Sequence, residues 1–260
     1  MTQARVLVSG AGIAGPALAY WLARAGHHAT VVERSPALRE GGQAVDFRGP
    51  VHRTVLERMG LWDAIHQQRT RSGELHLVGR DGAVRATLPE AMMSGDVEIL
   101  RGDLCRILHE RTRGGVDYRF GDRITRIDDD GRSVKVEFER AAPETYDFVV
   151  GADGLHSGVR ALVFGDEGRS LRHRGYRIAS FGLPNLLDGR RGAASFCEPG
   201  RGVCLTATSP GEGRALLVSI GNPINEEDRD PEPQKRALAA RFAGISDLDD
   251  EPATIVRPEQ

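Results

Sequence analysis

Six residues near the start of the chain, Gly10-Ala11-Gly12-Ile13-Ala14-Gly15, fit the spacing GxGxxG. In such a turn the first glycine makes the bend, the second lets the backbone approach a pyrophosphate, and the third packs a helix closely against a strand. Backbone N–H groups and the helix dipole then hold the phosphates. Glu33 follows Gly15 by 18 residues, the place from which a carboxylate accepts hydrogen bonds from a ribose diol and repels the 2'-phosphate of NADP. The pair points to FAD or NAD and does not choose between them. The bland alternative, in a chain with 32 glycines, is a glycine turn beside a solvated glutamate. A second run, Gly151-Ala152-Asp153-Gly154-Leu155-His156-Ser157-Gly158-Val159-Arg160, reads by physics alone as a buried strand ending in an Asp-Gly turn.

The surrounding elements decide whether the hexad has its proper setting. Arg5 to Ser9 reads as a buried strand. Ala14, Leu18, Trp21, Leu22 and Ala25 then fall on one helix face, Gly26 ends that helix, and Ala29 to Glu33 is a second strand. Strand, glycine turn, helix and strand open a parallel α/β sheet. Val51 to Ile65 is predicted helical, and Glu74 to Val78 with Val84 to Leu88 flank Asp81-Gly82 as a hairpin that leaves the nucleotide domain. A helix from Asp103 to Thr112 follows. Strands at Asp117 to Phe120, Ile124 to Asp128 and Ser133 to Glu139, with a turn at Asp130-Gly131, read as a β-meander. Tyr146 to Val150 is a short apolar strand running into the Asp-Gly turn, and Ser157 to Val163 resumes as a helix. Beyond Arg169, strands near Tyr176 to Gly182, Ala193 to Cys197, Val203 to Thr208 and Ala215 to Ile220 predict a second, sheet-built lobe. A polar loop from Asn222 to Pro233 leads to a helix from Gln234 to Ala243.

Charge and composition remove several function classes. The 260 residues carry 35 basic and 37 acidic side chains, interspersed, for a net charge of -2, so there is no basic field for nucleic acid or an anionic membrane. The apolar run after Arg5 is too short for a signal segment or a membrane span, and a cytoplasmic protein acting on a small molecule is expected. Cys105, Cys197 and Cys204 are an odd number without CxxC spacing, which predicts reduced thiols and neither a disulfide framework nor a structural zinc. The histidines His27, His52, His66, His76, His109 and His173 make no ligand set and no Ser/His/Asp order. No metal ligand, nucleophile or catalytic acid is assigned.

Glu33-Arg34, Arg101 followed by Leu104 and Leu108, and the GADGxxSxVR stretch from Gly151 to Arg160 together resemble the p-hydroxybenzoate hydroxylase family of FAD-dependent monooxygenases, the group A flavoproteins. The likeness spans roughly the first two thirds of the chain. It implies a Rossmann-like α/β FAD domain with a β-meander (residues 1–72 and 96–170) and a sheet-built substrate domain (73–95 and 171–260). By position the implied cofactor contacts are Gly10, Gly12, Ile13, Ala14, Gly15, Glu33, Arg34, Arg48, Arg101 and Asp153. Arg48, in a glycine-flanked loop, and Arg101, at the head of its helix, match arginines that touch flavin phosphate and ring in relatives. Asp153 matches the aspartate that meets the flavin pyrophosphate and bound NADPH.

The implied activity is hydroxylation of an aromatic or polyketide-like molecule by oxygen through a flavin C4a-hydroperoxide, with NADPH or NADH as reductant and non-covalent FAD. Phe181, Phe196 and Leu205 are candidate substrate-lining residues, against the plainer reading that they fill the core of the sheet lobe. A homo-oligomer is compatible with the family. Relatives continue past a Gly-Asp pair followed by Ala-Ala-His. Gly121-Asp122 and Gly165-Asp166 here lack that sequel, so the chain is expected to be short of the family's C-terminal part. A silent or incomplete nucleotide-binding module, and a flavin reductase on the same fold, are the competing readings.

Overall fold

The computed structural model describes residues 3–39, 41–70, 73–187, 191–222 and 231–245. In chain order the elements are β1 (Arg5–Ser9), α1 (Ala14–Arg24), β2 (His28–Glu33), β3 (Ala44–Phe47), α2 (Gly49–Arg58), α3 (Trp62–Gln67), β4 (Leu75–Val78), β5 (Val84–Leu88), α4 (Glu90–Met93), β6 (Val97–Leu100), α5 (Arg101–Thr112), β7 (Asp117–Phe120), β8 (Ile124–Asp129), β9 (Val134–Phe138), β10 (Glu144–Tyr146), β11 (Phe148–Gly151), α6 (Gly158–Phe164), β12 (Tyr176–Pro184), β13 (Ala193–Glu198), β14 (Arg201–Ala207), β15 (Glu212–Ile220) and α7 (Pro231–Phe242). Two units emerge, residues 1–69 with 96–172 and residues 70–95 with 173–260.

The first unit is built on a four-stranded sheet ordered β11-β1-β2-β7, parallel throughout. Alternation along β1 divides its core in two, because successive side chains of a strand point to opposite faces. Val6 and Val8 pack with Ala19 of α1, Ala29 and Val31, while Leu7 meets Val136, Phe138 and Tyr146 of the antiparallel sheet β10-β9-β8 and Val159 of α6. Leu7 is fully buried, and a side chain of that size stabilises the fold by about 1.5–3 kcal/mol. A third cluster joins Tyr20 of α1 to Leu56, Ile65, Ile99, Leu104 and Leu108, which fixes α5 against α1.

Several predicted boundaries change for identifiable reasons. The helix expected from Val51 to Ile65 breaks into α2 and α3 at Gly60, whose φ of +67° cannot continue a right-handed helix. Asp117 to Phe120 is not a meander strand: β7 pairs in parallel with β2, and the meander is β8, β9 and β10. The strand expected from Tyr146 to Val150 divides at Asp147, where the chain passes from one sheet to another. There the Asp147 carboxylate accepts the Arg5 N–H at 2.7 Å and its own N–H donates to the Arg5 carbonyl at 2.9 Å. The antiparallel pair β3 and β6 has no counterpart in the sequence reading.

In the second unit the sheet runs β12-β15-β14-β13-β4-β5. One face packs Phe196, Val203 and Leu217 against Phe242 of α7, with Phe181, Leu205 and Leu238 beside them. Phe181, Phe196 and Leu205 are therefore core side chains beneath α7. The predicted loop from Asn222 to Pro233 lies outside the described residues at 223–230, and α7 begins at Pro231. Among the described residues no helix is long and apolar enough to cross a membrane.

Gly121-Asp122 turns β7 into β8. The Asp122 carboxylate is 6% exposed and accepts backbone N–H groups of Arg123, Arg140 and Ala141 at 2.8–3.0 Å. Burial opposes its ionisation, and the N–H groups of Arg123, Ala141, Arg140 and Glu139 overcome that, so it titrates below the ordinary carboxylate value. A depressed native value means stability that is complete above the unfolded pKa of ~3.9 and is lost as pH falls through the native one. Asp122→Ala should cost about 3 kcal/mol by stranding buried donors. In urea melts between pH 7 and pH 2, the gap between wild type and Asp122→Asn should close on the acid side; a gap constant with pH would refute this account.

Candidate functional site

The glycine turn forms where β1 ends against two neighbours. The Gly10 N–H donates to the Val32 carbonyl of β2 at 2.8 Å, and the Ala152 N–H after β11 donates to the Ser9 carbonyl at 2.8 Å. Gly10 has φ +108°, and a Cβ there would lie 2.5 Å from the Ala152 carbonyl oxygen and 2.8 Å from the Asp153 Cα. The two motifs therefore meet backbone to backbone. At Gly15, buried in the first turn of α1, a Cβ would fall 1.9 Å from the Gly10 carbonyl oxygen. Gly12 differs from both: nothing stands nearer to its Cβ position than Nη2 of Arg101 at 3.8 Å. The middle glycine keeps an open approach roofed by a guanidinium.

Helix α1 starts at that opening with no side-chain cap and no acid in its first turn. Its free N–H groups and partial positive charge suit an anion. Ile13, the residue before the helix, packs partly into the cluster around Tyr20, and Ala14 is exposed. Glu33 ends β2 and closes the site from the other side. One carboxylate oxygen accepts the Ala11 N–H at 2.9 Å and the other the Ser35 N–H at 2.9 Å. Each oxygen retains a lone pair for a further donor.

Arg101 reaches the site because β6 and β3 deliver it. Its N–H donates to the Gln43 carbonyl at 3.0 Å, and its side chain runs along Gly42, where a Cβ would touch the Arg101 Cβ at 3.2 Å. One helical turn on, Cys105 is buried. Burial pushes its thiol up, the Arg101 guanidinium beside it pulls the other way, and the Glu33 charge adds to the rise. Gly12, Glu33, Arg101 and Cys105 thus share one neighbourhood. Neither Cys105 nor Gln43 and the β3–β6 pair was legible as part of it, since a lone cysteine and a four-residue strand carry no chemical signature.

Asp153 is turned toward its own loop. Its carboxylate accepts the Ser157 hydroxyl at 2.5 Å and the Val159 N–H at 3.1 Å, while Ser157 caps α6 by accepting the Arg160 N–H at 3.0 Å. Arg160 in turn holds the Leu155 carbonyl and Glu167. The Asp-Gly turn is consequently rigid where it crosses Gly10. Of the other predicted contacts, Arg34 is exposed in the bend after β2, and Arg48 opens α2 with its guanidinium on Asp46 at 2.5 Å. Among the described residues no group of three or more His, Cys, Asp and Glu could hold a metal ion.

A family model described as the FAD binding domain matches residues 3–255. An uncharacterized protein of Mycobacterium tuberculosis is 42% identical over 245 residues, covering 92% of this chain and 66% of that protein. A flavin-dependent monooxygenase of Legionella longbeachae is 34% identical over 247 residues, 92% of this chain and 62% of the relative. Among solved structures, the tetracycline destructase Tet(51) is similar with a TM-score of 0.74 at 31% identity, over 93% of this chain and 63% of that one. CtdE in complex with FAD is similar in fold, with a TM-score of 0.75 at 17% identity, over 96% and 70% of the two chains. The chain spans about two thirds, or slightly less, of the length of the curated relatives it matches.

The three glycines separate folding from binding. Gly10→Ala and Gly15→Ala should each cost more than ~3 kcal/mol in urea unfolding, because a backbone oxygen occupies the methyl's place. Gly12→Ala, with no positive φ and open space, should stay within about 0.5 kcal/mol of wild type. Equal losses at all three positions would contradict this geometry.

Proposed function

Because the chain belongs to the FAD binding domain family, that of the p-hydroxybenzoate hydroxylase-like flavoproteins, we propose that its first unit holds the ADP half of FAD. We propose further that the whole protein is a monooxygenase adding oxygen to an aromatic or polyketide-like molecule, with NADPH or NADH as reductant. The observation that carries the reading is the contrast among the glycines: positions 10 and 15 are filled by backbone, and position 12 opens toward Arg101. A cradle that only a glycine leaves open, beside an uncapped helix start and a guanidinium, fits a pyrophosphate. The names of the Legionella relative and of Tet(51) support the choice of chemistry.

When bound, FAD would supply the redox chemistry, accepting two electrons from the nicotinamide and activating oxygen. The chain's own part is to bind and orient. N–H groups from Gly12 to Gly15 would hold phosphate oxygens, Arg101 would neutralise them, and the remaining lone pairs of Glu33 would take the ribose hydroxyls. Ile13 and Ala14 would supply backbone at the opening. Asp153, fixed by Ser157 and Val159, would keep the second turn in register under the first. Arg34 and Arg48 are assigned to the cofactor by resemblance to the family alone.

Titrating the purified chain with FAD while following flavin fluorescence should give saturable binding. Gly12→Ala and Arg101→Gln should each weaken it by tenfold or more, ~1.4 kcal/mol, at unchanged thermal midpoint. Failure of the wild type to bind FAD or ADP would overturn the assignment. Binding without aromatic-stimulated NADPH oxidation would leave a nucleotide-binding module, and oxidation without oxygen in the product would indicate a reductase.

A further inference from the structure

At the end of α1 away from the glycine turn, two cations are held by one aromatic side chain. The Tyr20 hydroxyl donates to the Arg58 carbonyl at 3.2 Å and accepts Nη1 of Arg24 at 3.2 Å. Arg111 lies over the same ring, its Cζ 5.4 Å from the centroid, and its Nε donates to the Met59 carbonyl at 3.0 Å. Beside them is an open cavity of about 270 Å³, lined by Tyr20, Ala23 and Arg24 from α1 and by Arg111, Gly115 and Val116 at and after the end of α5. Both guanidinium-bearing side chains belong to its walls.

Neither of them is answered by an acid. Among the described residues no ion pair includes Arg24 or Arg111: Glu57 of α2 pairs with Arg53 at 2.8 Å, and Glu110, next to Arg111 in sequence, pairs with Arg106 at 3.7 Å. The plainer account is that each arginine complements the carbonyl end of its own helix, since both sit in a last turn. A helix end carries roughly half a negative charge. The ends of α1, α2 and α5 together therefore offset about one and a half of the four positive charges on Arg24, Arg58, Arg111 and Arg113, the last two turns of α2 and α5 contributing the other two arginines. A guanidinium has five N–H donors, and the bonds above use one on Arg24 and one on Arg111. Charge and donors are both in surplus at one cavity.

We infer that this cavity binds a dianionic phosphate group, free or at the end of a small ester, between Arg24 and Arg111. The planar fork of a guanidinium matches a pair of phosphate oxygens, and a dianion offsets more of the surplus than a carboxylate does. Tyr20 sets the geometry by holding Arg24 through its hydroxyl and Arg111 through its ring, so both are placed before a ligand arrives. Nothing lies within 4 Å of a Cβ built on Gly115, which leaves room beyond the phosphate, and Ala23 and Val116 make the wall there apolar. The cavity is distinct from the cradle at Gly12. Helix α1 has 11 residues, a length of about 16 Å, and the two sites lie at its opposite ends. The inference does not depend on the proposed cofactor or activity.

Calorimetry on the whole chain tests this with inorganic phosphate and with phenyl phosphate, at low ionic strength because exposed charges are screened by salt. Saturating FAD keeps the cradle at Gly12 occupied, and the Arg101→Gln background replaces it if FAD does not bind. One phosphate should bind per chain. Arg24→Gln and Arg111→Gln should each weaken it tenfold or more with FAD affinity within about twofold of wild type. Gly115→Asp, which sets a carboxylate on the open wall and leaves both arginines in place, should weaken phosphate as well, and it decides the matter if an arginine variant fails to fold. Tighter binding of phenyl phosphate than of phosphate would assign the cavity to an ester, and the reverse to the free ion. Benzoate, a monoanion on the same ring, should bind at least tenfold more weakly than phenyl phosphate. No binding of either phosphate probe, unchanged binding in both arginine variants, benzoate equal to phenyl phosphate, or loss of FAD along with phosphate would each overturn the inference. A wild type that binds phosphate here but not FAD would refute the proposed cofactor and leave the inference standing.

Discussion

A methyl group at position 10 would collide with the carbonyl of Ala152, and most of the first unit follows from that contact between two backbones. β1 lies between β2 and β11, so the loops leaving β1 and β11 emerge side by side at the same end of a parallel sheet. They can cross only if one of them lacks a side chain. With Gly10 in the left-handed region, the chain bends over the sheet edge and starts α1 at once. With Gly15 in contact with the Gly10 carbonyl oxygen, α1 lies close enough for Ala19 to fill the space above Val6 and Val8. The binding surface is then made of backbone, at the place where open α/β sheets receive their ligands.

The groups around that surface hold each other before any ligand arrives. Glu33 ties the end of β2 to Ala11 and Ser35. Asp153 and Ser157 close the second turn on the start of α6. Arg101 is drawn along Gly42 by the β3–β6 pair. Preorganisation of this kind lowers the entropic cost of binding, because side chains that would otherwise be fixed by the ligand are fixed by the protein. It would also let acids at the site coexist with the anionic ligand proposed for it. The Glu33 carboxylate already spends part of its charge on two N–H groups, and the Arg101 guanidinium stands 3.8 Å from the Cβ position of Gly12.

What the sequence made legible is what local periodicity and fixed spacing encode. The run from Arg5 to Glu33 reads correctly because the strand, the glycine turn and the 3.6-residue helix face all agree with one another over adjacent residues. Pairing partners are another matter. Asp117 to Phe120 looks the same whether it joins a meander or the parallel sheet, and only the packing of α5 against α1 brings it beside β2. Asp147 hides a change of sheet inside an apolar run. Arg101, at a helix head, and Arg48, in a glycine-flanked loop, were both expected at the flavin, and the structure sets the first over Gly12 and the second on Asp46. A difference made by long-range delivery leaves no trace in local pattern.

The same distinction explains why a cofactor can be inferred here more readily than a substrate. In the first unit the groups proposed to face the ligand are N–H donors and missing side chains, so the requirement is written as glycines at fixed intervals and survives in any sequence that keeps the turn. In the second unit the sheet offers side chains at alternate positions of three strands, and nothing in β-structure demands a particular residue there. Phe181 and Leu205 have the composition expected of a pocket wall, yet their parity along the strand puts them under α7. Arg214, one residue out of phase with Ala215 and Leu217 of the core, points to the other face. Parity relative to the covering helix, more than hydrophobicity, decides which residues of such a sheet can meet a ligand, and parity is fixed only once the strands have paired.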